Sequence, residues 1–199
     1  MNKVLKANLA NIFTIARIVL TPVFLYLLYE NTMVGYLLAL IVFIFASVSD
    51  YADGAIARKL NQQSEFGKFM DPLADKVLVM STFFVLALMG FAPGWMVALV
   101  IFRDLFITLI RSIMSRRGKS MNTSNIAKVK TAIQMVFIYA VLAWLLLMKL
   151  PFLNFLHPPL QLFRDYHGFW VLMLITTLLT LYTGILYFFE NKHIFRKEK

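Results

Sequence analysis

Cysteine is absent from this 199-residue chain, which excludes disulfides, thiolate metal ligands and thiol nucleophiles and leaves the redox compartment undetermined. Histidine is scarce too: His157, His167 and His193 stand apart, and none is assigned a role. No internal repeat, low-complexity tract or linker interrupts the chain. Acidic residues number only ten against twenty lysines and arginines, a net charge of +10, so where the carboxylates stand is informative. No small-residue cleavage site follows Lys3 and Lys6 before the first apolar run. Met1 to Asn11 is therefore expected to be retained as a short interfacial segment, not removed as a signal peptide.

What the chain has in excess is apolar surface. It is 60% hydrophobic with a mean hydropathy of +0.74, against an apolar share of ~45–50% in soluble domains. Apolar segments lie at about 12–29, 33–57, 72–89, 94–115, 125–148 and 168–189, each near the roughly 20 residues that cross the hydrocarbon layer. They predict an all-α integral membrane protein with six transmembrane helices in a single domain over 1–199. With six such segments, no separate catalytic domain is expected within these 199 residues.

The basic residues gather beside the apolar segments, at Lys3/Lys6, Arg58/Lys59/Lys68, Arg116/Arg117/Lys119, Lys128/Lys130 and Lys192 to Lys199. The membrane explains this basicity without nucleic acid, because cations beside helices follow the positive-inside pattern and attract anionic headgroups. The second and fourth connections are strongly basic, while the first, third and fifth carry only Lys149 and Arg164. Both termini, the turn after residue 57 and the Arg116 loop are thus expected on the cytoplasmic side. Pro72 is expected in the first turn of the third helix, where its missing N–H is harmless. Gly54 and Gly67 are expected to bracket a bend. The stretch Pro151 to His167 is expected as an outer loop near the interface.

Four of the ten acidic residues fall at one such boundary: Asp50 and Asp53, three apart, and Asp71 and Asp75, four apart. On a helix each pair shares a face. If the connection folds back, the two pairs meet across an antiparallel junction. Carboxylates at a membrane boundary are costly unless bound, and an all-oxygen donor set suits Mg²⁺ or Mn²⁺ better than zinc. Two such ions roughly 3.5–4 Å apart would clamp the attacking and leaving oxygens of a phosphoryl displacement. For any one aspartate, simple pairing with a surface Lys or Arg is the plainer account. The fixed spacing of all four with Gly54, Arg58 and Gly67 speaks against it.

The run Asp50-x-x-Asp53-Gly54-x-x-Ala57-Arg58-x8-Gly67-x3-Asp71-x3-Asp75 resembles the signature of the CDP-alcohol phosphatidyltransferases at every fixed position. The resemblance implies six transmembrane helices, homodimers, and a site open to the cytoplasm and the membrane. It further implies that Asp50, Asp53, Asp71 and Asp75 hold two divalent ions, with Asp75 as general base. Gly54, Ala57, Arg58 and Gly67 would line the site for the CDP-linked lipid. Small residues leave space for a base against the helices, and Arg58 suits a fork-like phosphate contact.

A second polar group lies in the fourth and fifth segments. Arg103, Asp104 and Arg111 are charges inside an apolar run, which are expensive and usually face a cavity. Arg103 and Arg111 stand eight apart, about two turns on nearly the same face. Lys128, Lys130 and Thr131 follow at the mouth of the next segment. Together they suggest an anion pocket distinct from the metal site, hence an acceptor alcohol bearing its own phosphate. The same segments resemble the phosphatidylglycerophosphate synthase branch of the family, with Asp104 where that branch has Glu and Ala127 where it has Gly. Asn11-x-x-Thr14-x-x-Arg17 looks like that branch as well, which places Thr14 and Arg17 with the CDP-lipid residues.

By this resemblance Arg111, Lys128 and Lys130, with Arg103 and Thr131 beside them, hold the phosphate of sn-glycerol 3-phosphate. The same resemblance implies CDP-diacylglycerol as the donor, a role in phospholipid biosynthesis, and a place in a bacterial inner membrane. Other readings stay open at this point. Arg103 fits a buried structural pair, and Arg17 fits snorkelling to headgroups. The acceptor is open to phosphatidylglycerol, as in a cardiolipin synthase, or to inositol phosphate. From another class, a divalent-cation transporter predicts acidic residues at the midplane of several helices, whereas these carboxylates sit at one end.

Overall fold

The computed structural model describes residues 3–60, 65–116 and 125–191, with side chains described at 16–48, 76–114 and 129–191. The described residues form seven α-helices and one 3-10 turn, with no strand. They are α1 (Lys3–Tyr29), α2 (Met33–Leu60), α3 (Glu65–Leu88), α4 (Gly94–Arg116), α5 (Asn125–Leu147), the 3-10 turn Pro151–Leu156, α6 (His157–Asp165) and α7 (Gly168–Glu190). Among the described residues, Val129–Leu147 and Gly168–Glu190 are long and apolar enough to cross a membrane. Ala16–Tyr29, Met33–Val48 and Lys76–Leu88 are shorter apolar stretches.

The chain divides into two compact units. The first comprises Met1–Val85 and Leu142–His157, the second Leu86–Val141 and Pro158–Lys199. In the first, α1 packs on α2 through residues at helical spacing: Arg17, Thr21, Phe24 and Leu28 on one side, Tyr36, Ala39, Phe43 and Ala46 on the other, all buried. The Phe24 and Phe43 rings meet at 5.4 Å. Alanines at 39 and 46 let the two backbones approach closely. The α1–α2 turn is tied locally. Asn31 takes a left-handed φ of 53°. Thr32 caps α2 by accepting from the Gly35 N–H at 2.9 Å, and the Tyr36 hydroxyl donates to Asn31 Oδ1 at 2.8 Å.

In the second unit α4 packs on α7. An aromatic cluster closes the end where both helices begin, with Phe91 and Phe163 each edge-on to Phe169 at 5.2 and 5.1 Å. Hydroxyls inside these helices mostly satisfy themselves. Thr108, Thr176 and Thr177 donate to the carbonyls four residues earlier at 2.7 to 2.8 Å, as a membrane environment requires of polar groups.

Three expectations are corrected. The third helix begins at Glu65 and not near 72, so Pro72 stands in its second turn, and Gly54 and Gly67 lie inside helices instead of bracketing a bend. The physical reason is that Phe66, Phe69 and Met70 continue a helical apolar period behind an acidic first residue, and a carboxylate in the first turn favours helix initiation. The stretch expected as an outer loop forms the 3-10 turn and α6.

Candidate functional site

The helical backbone positions the aspartate motif even though the side chains of its members lie outside the described ones. α2 runs unbroken through Asp50 and Asp53, and α3 through Asp71 and Asp75, so each pair occupies a single helical turn. Counted from the helix ends, Asp50 is ten residues before Leu60 and Asp75 ten after Glu65, while Asp53 is seven before and Asp71 six after. An antiparallel return would bring Asp50 level with Asp75 and Asp53 level with Asp71. In that register a purely carboxylate donor set would fit hard divalent ions. Gly54, Ala57 and Arg58 lie on α2 and Gly67 on α3. The side chains of these four, and those of Thr14 and Lys128, are likewise outside the described set.

The second polar group is visible in atomic detail. Asp104 of α4 is only 6% exposed and sits among cations. Its Oδ1 accepts from Arg103 Nη1 at 3.2 Å and from Lys130 Nζ of α5. Its Oδ2 accepts from Gln134 Nε2 at 3.1 Å. Lys130 and Gln134 are four apart on α5, so one face of that helix supplies both donors. Burial of this kind needs such company, since a carboxylate left alone in a low dielectric is strongly disfavoured.

The arginines reach α7. Arg103 Nη2 donates to Thr183 Oγ1 at 3.1 Å, and the Thr183 hydroxyl donates in turn to the Thr180 carbonyl at 2.9 Å. Arg111 Nε donates to the Tyr187 hydroxyl at 3.4 Å, and its guanidinium lies over the Tyr187 ring, 5.5 Å from the centroid. Arg111 is exposed, and its Nη groups have no protein acceptor among the described residues. At the C-terminal end of α7, Asn191 Nδ2 donates to the Tyr187 carbonyl at 2.9 Å.

Of the residues singled out in the sequence, the structure thus brings Arg103 and Lys130 together on Asp104 and places Arg111 two turns further along α4. Thr131 is exposed on α5. Arg17 is 6% exposed in the first unit, which does not suit a side chain reaching for headgroups. Gln134, Thr183, Gly184 and Tyr187 belong to this cluster and were not singled out. The signal of the three on α7 was present: Thr176, Thr177, Thr180, Thr183, Gly184 and Tyr187 recur on one face of an otherwise apolar helix, all buried.

Comparison with known proteins places the chain in a family. Residues 7–190 match the family model of the CDP-alcohol phosphatidyltransferases. A protein of Bacillus subtilis (strain 168) named CDP-diacylglycerol--glycerol-3-phosphate 3-phosphatidyltransferase is 38% identical over 157 residues, 73% of this chain and 79% of that one. Its Escherichia coli (strain K12) namesake is 38% identical over 144 residues, 70% of this chain and 76% of its own length. The Wigglesworthia glossinidia brevipalpis namesake is 34% identical over 143 residues, 69% and 78% of the two chains. With nearly its whole length matched and the signature intact on α2 and α3, the chain belongs to the CDP-alcohol phosphatidyltransferase family.

Proposed function

We propose that this protein transfers the phosphatidyl group of CDP-diacylglycerol to sn-glycerol 3-phosphate, giving phosphatidylglycerophosphate and CMP, the activity for which its relatives are named. One observation supports an acceptor that bears its own phosphate monoester over phosphatidylglycerol, and the names of the relatives favour sn-glycerol 3-phosphate over inositol phosphate. Arg111 presents a guanidinium steadied on Tyr187 whose Nη donors have no protein acceptor among the described residues. Such a planar fork matches the oxygens of a phosphate monoester. An acceptor with a phosphate of its own fills it, whereas a neutral alcohol leaves it empty.

The chemistry balances as a single displacement. The acceptor hydroxyl oxygen attacks the phosphorus that bears diacylglycerol, the bond from that phosphorus to the CMP oxygen breaks, and Asp75 takes the hydroxyl proton. Asp50, Asp53, Asp71 and Asp75 would hold two Mg²⁺ or Mn²⁺ ions. When bound, these supply positive charge against the pyrophosphate and the departing CMP. Gly54, Ala57, Arg58, Gly67, Thr14 and Arg17 serve the CDP-lipid. Arg111, Lys128 and Lys130, with Arg103 and Thr131, serve the acceptor phosphate.

The same reading takes 1–199 as one membrane domain with six transmembrane helices. It is set in a bacterial inner membrane with both termini and the site on the cytoplasmic side, and paired as a homodimer. The basic connections between apolar helices support that orientation.

The test is CMP release from CDP-diacylglycerol by purified protein with Mg²⁺ or Mn²⁺ and a panel of acceptors. Selective use of sn-glycerol 3-phosphate is expected. Preference for phosphatidylglycerol or inositol phosphate would replace the acceptor, and metal flux in liposomes without CDP-lipid would replace the enzyme with a transporter.

A further inference from the structure

Arg103 is held in an unusual way. Two of its donors are taken, by Asp104 Oδ1 and Thr183 Oγ1, yet its buried Nε has no hydrogen-bond partner among the described residues. What lies beside that Nε is Gly184: a Cβ added there would come within 2.9 Å of Nε and 3.3 Å of Cγ. Gly184 therefore acts as the slot in α7 through which the Arg103 side chain passes. One turn earlier, Thr180 is buried with its hydroxyl also unpartnered among the described residues, unlike Thr176 and Thr177.

Buried guanidinium donors are normally satisfied, and an exception calls for a reason. Here a local rule is broken while the surroundings are arranged around the break, which is the pattern of functional positions. The Thr183 hydroxyl is polarised to suit: it gives its own proton to the Thr180 carbonyl and so faces Arg103 as an acceptor.

We propose that Thr183 and Gly184 are positioning residues for the phosphate-bearing acceptor, fixing the Arg103 guanidinium at the α4–α7 seam so that its unused Nη hydrogens are available to phosphate. This rests on the acceptor assignment above. Neither residue touches substrate. Thr183 sets the rotation of the guanidinium plane, and the missing Cβ at 184 sets its depth.

The experiment is steady-state kinetics of CMP release by the full-length protein in detergent, with sn-glycerol 3-phosphate and CDP-diacylglycerol varied separately. T183V and G184A are each expected to raise the KM for sn-glycerol 3-phosphate about tenfold, the effect of losing one hydrogen bond to a charged group. The kcat and the KM for CDP-diacylglycerol stay within about twofold of wild type. T183S, which keeps the hydroxyl, restores the acceptor KM. In an R103K background, where the branched guanidinium is gone, G184A adds less than about twofold, because both changes act on one contact.

If G184A does not yield folded protein, T183V and T183S decide alone. Equal rises in both KM values, a fall in kcat alone, or full additivity with R103K would overturn the inference. If R103A raises the acceptor KM while T183V and G184A do not, positioning fails and the acceptor reading stands. If wild-type protein releases no CMP with sn-glycerol 3-phosphate, the acceptor reading fails and takes the inference with it.

Discussion

The Arg111 guanidinium of α4 lies over the Tyr187 ring of α7, 5.5 Å from its centroid, with Nε donating to the Tyr187 hydroxyl at 3.4 Å. A cation stacked in this way surrenders one N–H and keeps its two-pronged end open, so Tyr187 orients Arg111 without neutralising it. Tyr187→Phe keeps the ring and loses the hydroxyl. It should raise the KM for sn-glycerol 3-phosphate by about twofold to fivefold, in line with one modest hydrogen bond. Tyr187→Leu removes both supports and should raise it by about tenfold. Arg111→Ala should exceed either. An unchanged acceptor KM in Arg111→Ala would remove this residue from the phosphate site.

Asp104 gives a prediction about stability. It receives Arg103, Lys130 and Gln134 in the interior of the second unit. Asp104→Ala leaves two cations without that carboxylate, and breaking a buried pair of this kind costs about 3–5 kcal/mol. Asp104→Asn should be milder, because its amide oxygen still accepts from Lys130 and Gln134 can turn to accept from its amide nitrogen. Thermal unfolding in detergent should rank the wild type above Asp104→Asn and Asp104→Ala lowest. Equal melting temperatures for the three would show that the cluster contributes nothing to folding.

Hydropathy and punctuation made much of this architecture legible. The fourth segment, expected over 94–115, is α4 (Gly94–Arg116), and the last, expected over 168–189, is α7 (Gly168–Glu190). Both begin after residues that stop a helix, Pro93 before α4 and His167, in the left-handed region at φ 59°, before α7. The early start of α3 was hidden because Gly67 and Pro72 read as breakers, while the period of Phe66, Phe69 and Met70 overrode them. The charged residues of α4 and α5 stood out because charge in an apolar run is conspicuous. The threonines and Tyr187 of α7 did not, since hydroxyls that bond to their own helix cost little and leave the average hydropathy high.

Gly35 is required by close approach. A Cβ there would lie 2.7 Å from the Leu27 carbonyl oxygen and 2.9 Å from Thr32 Oγ1, the atom that caps α2. Gly35→Ala must either push α2 away from α1 or displace the cap. Overpacking of this sort costs about 1–3 kcal/mol. The melting temperature should fall, while Gly94→Ala, where an added Cβ meets nothing within 4 Å, should leave it unchanged. A Gly35→Ala protein as stable as wild type would mean that the turn relaxes freely.

Substitution of Asp75 is expected to separate binding from chemistry. It lies in α3 one turn after Asp71, so the two are neighbours on the helix surface. Asn at 75 has nearly the same shape and can still donate an oxygen to a metal, but it cannot accept the acceptor's proton. Asp75→Asn should therefore lose CMP release by about a hundredfold to ten-thousandfold, the range supplied by a general base, while still binding CDP-diacylglycerol. Asp50→Asn and Asp53→Asn reduce the charge available to cations, so binding itself should weaken and recover in part at higher Mg²⁺ or Mn²⁺. Equilibrium binding of CDP-diacylglycerol beside single-turnover CMP release distinguishes the cases. Asp75→Asn turning over at the wild-type rate would exclude it as the base. Activity that survives complete chelation would exclude the carboxylates as a metal site, because four negative charges with no cation between them would repel a pyrophosphate instead of holding it.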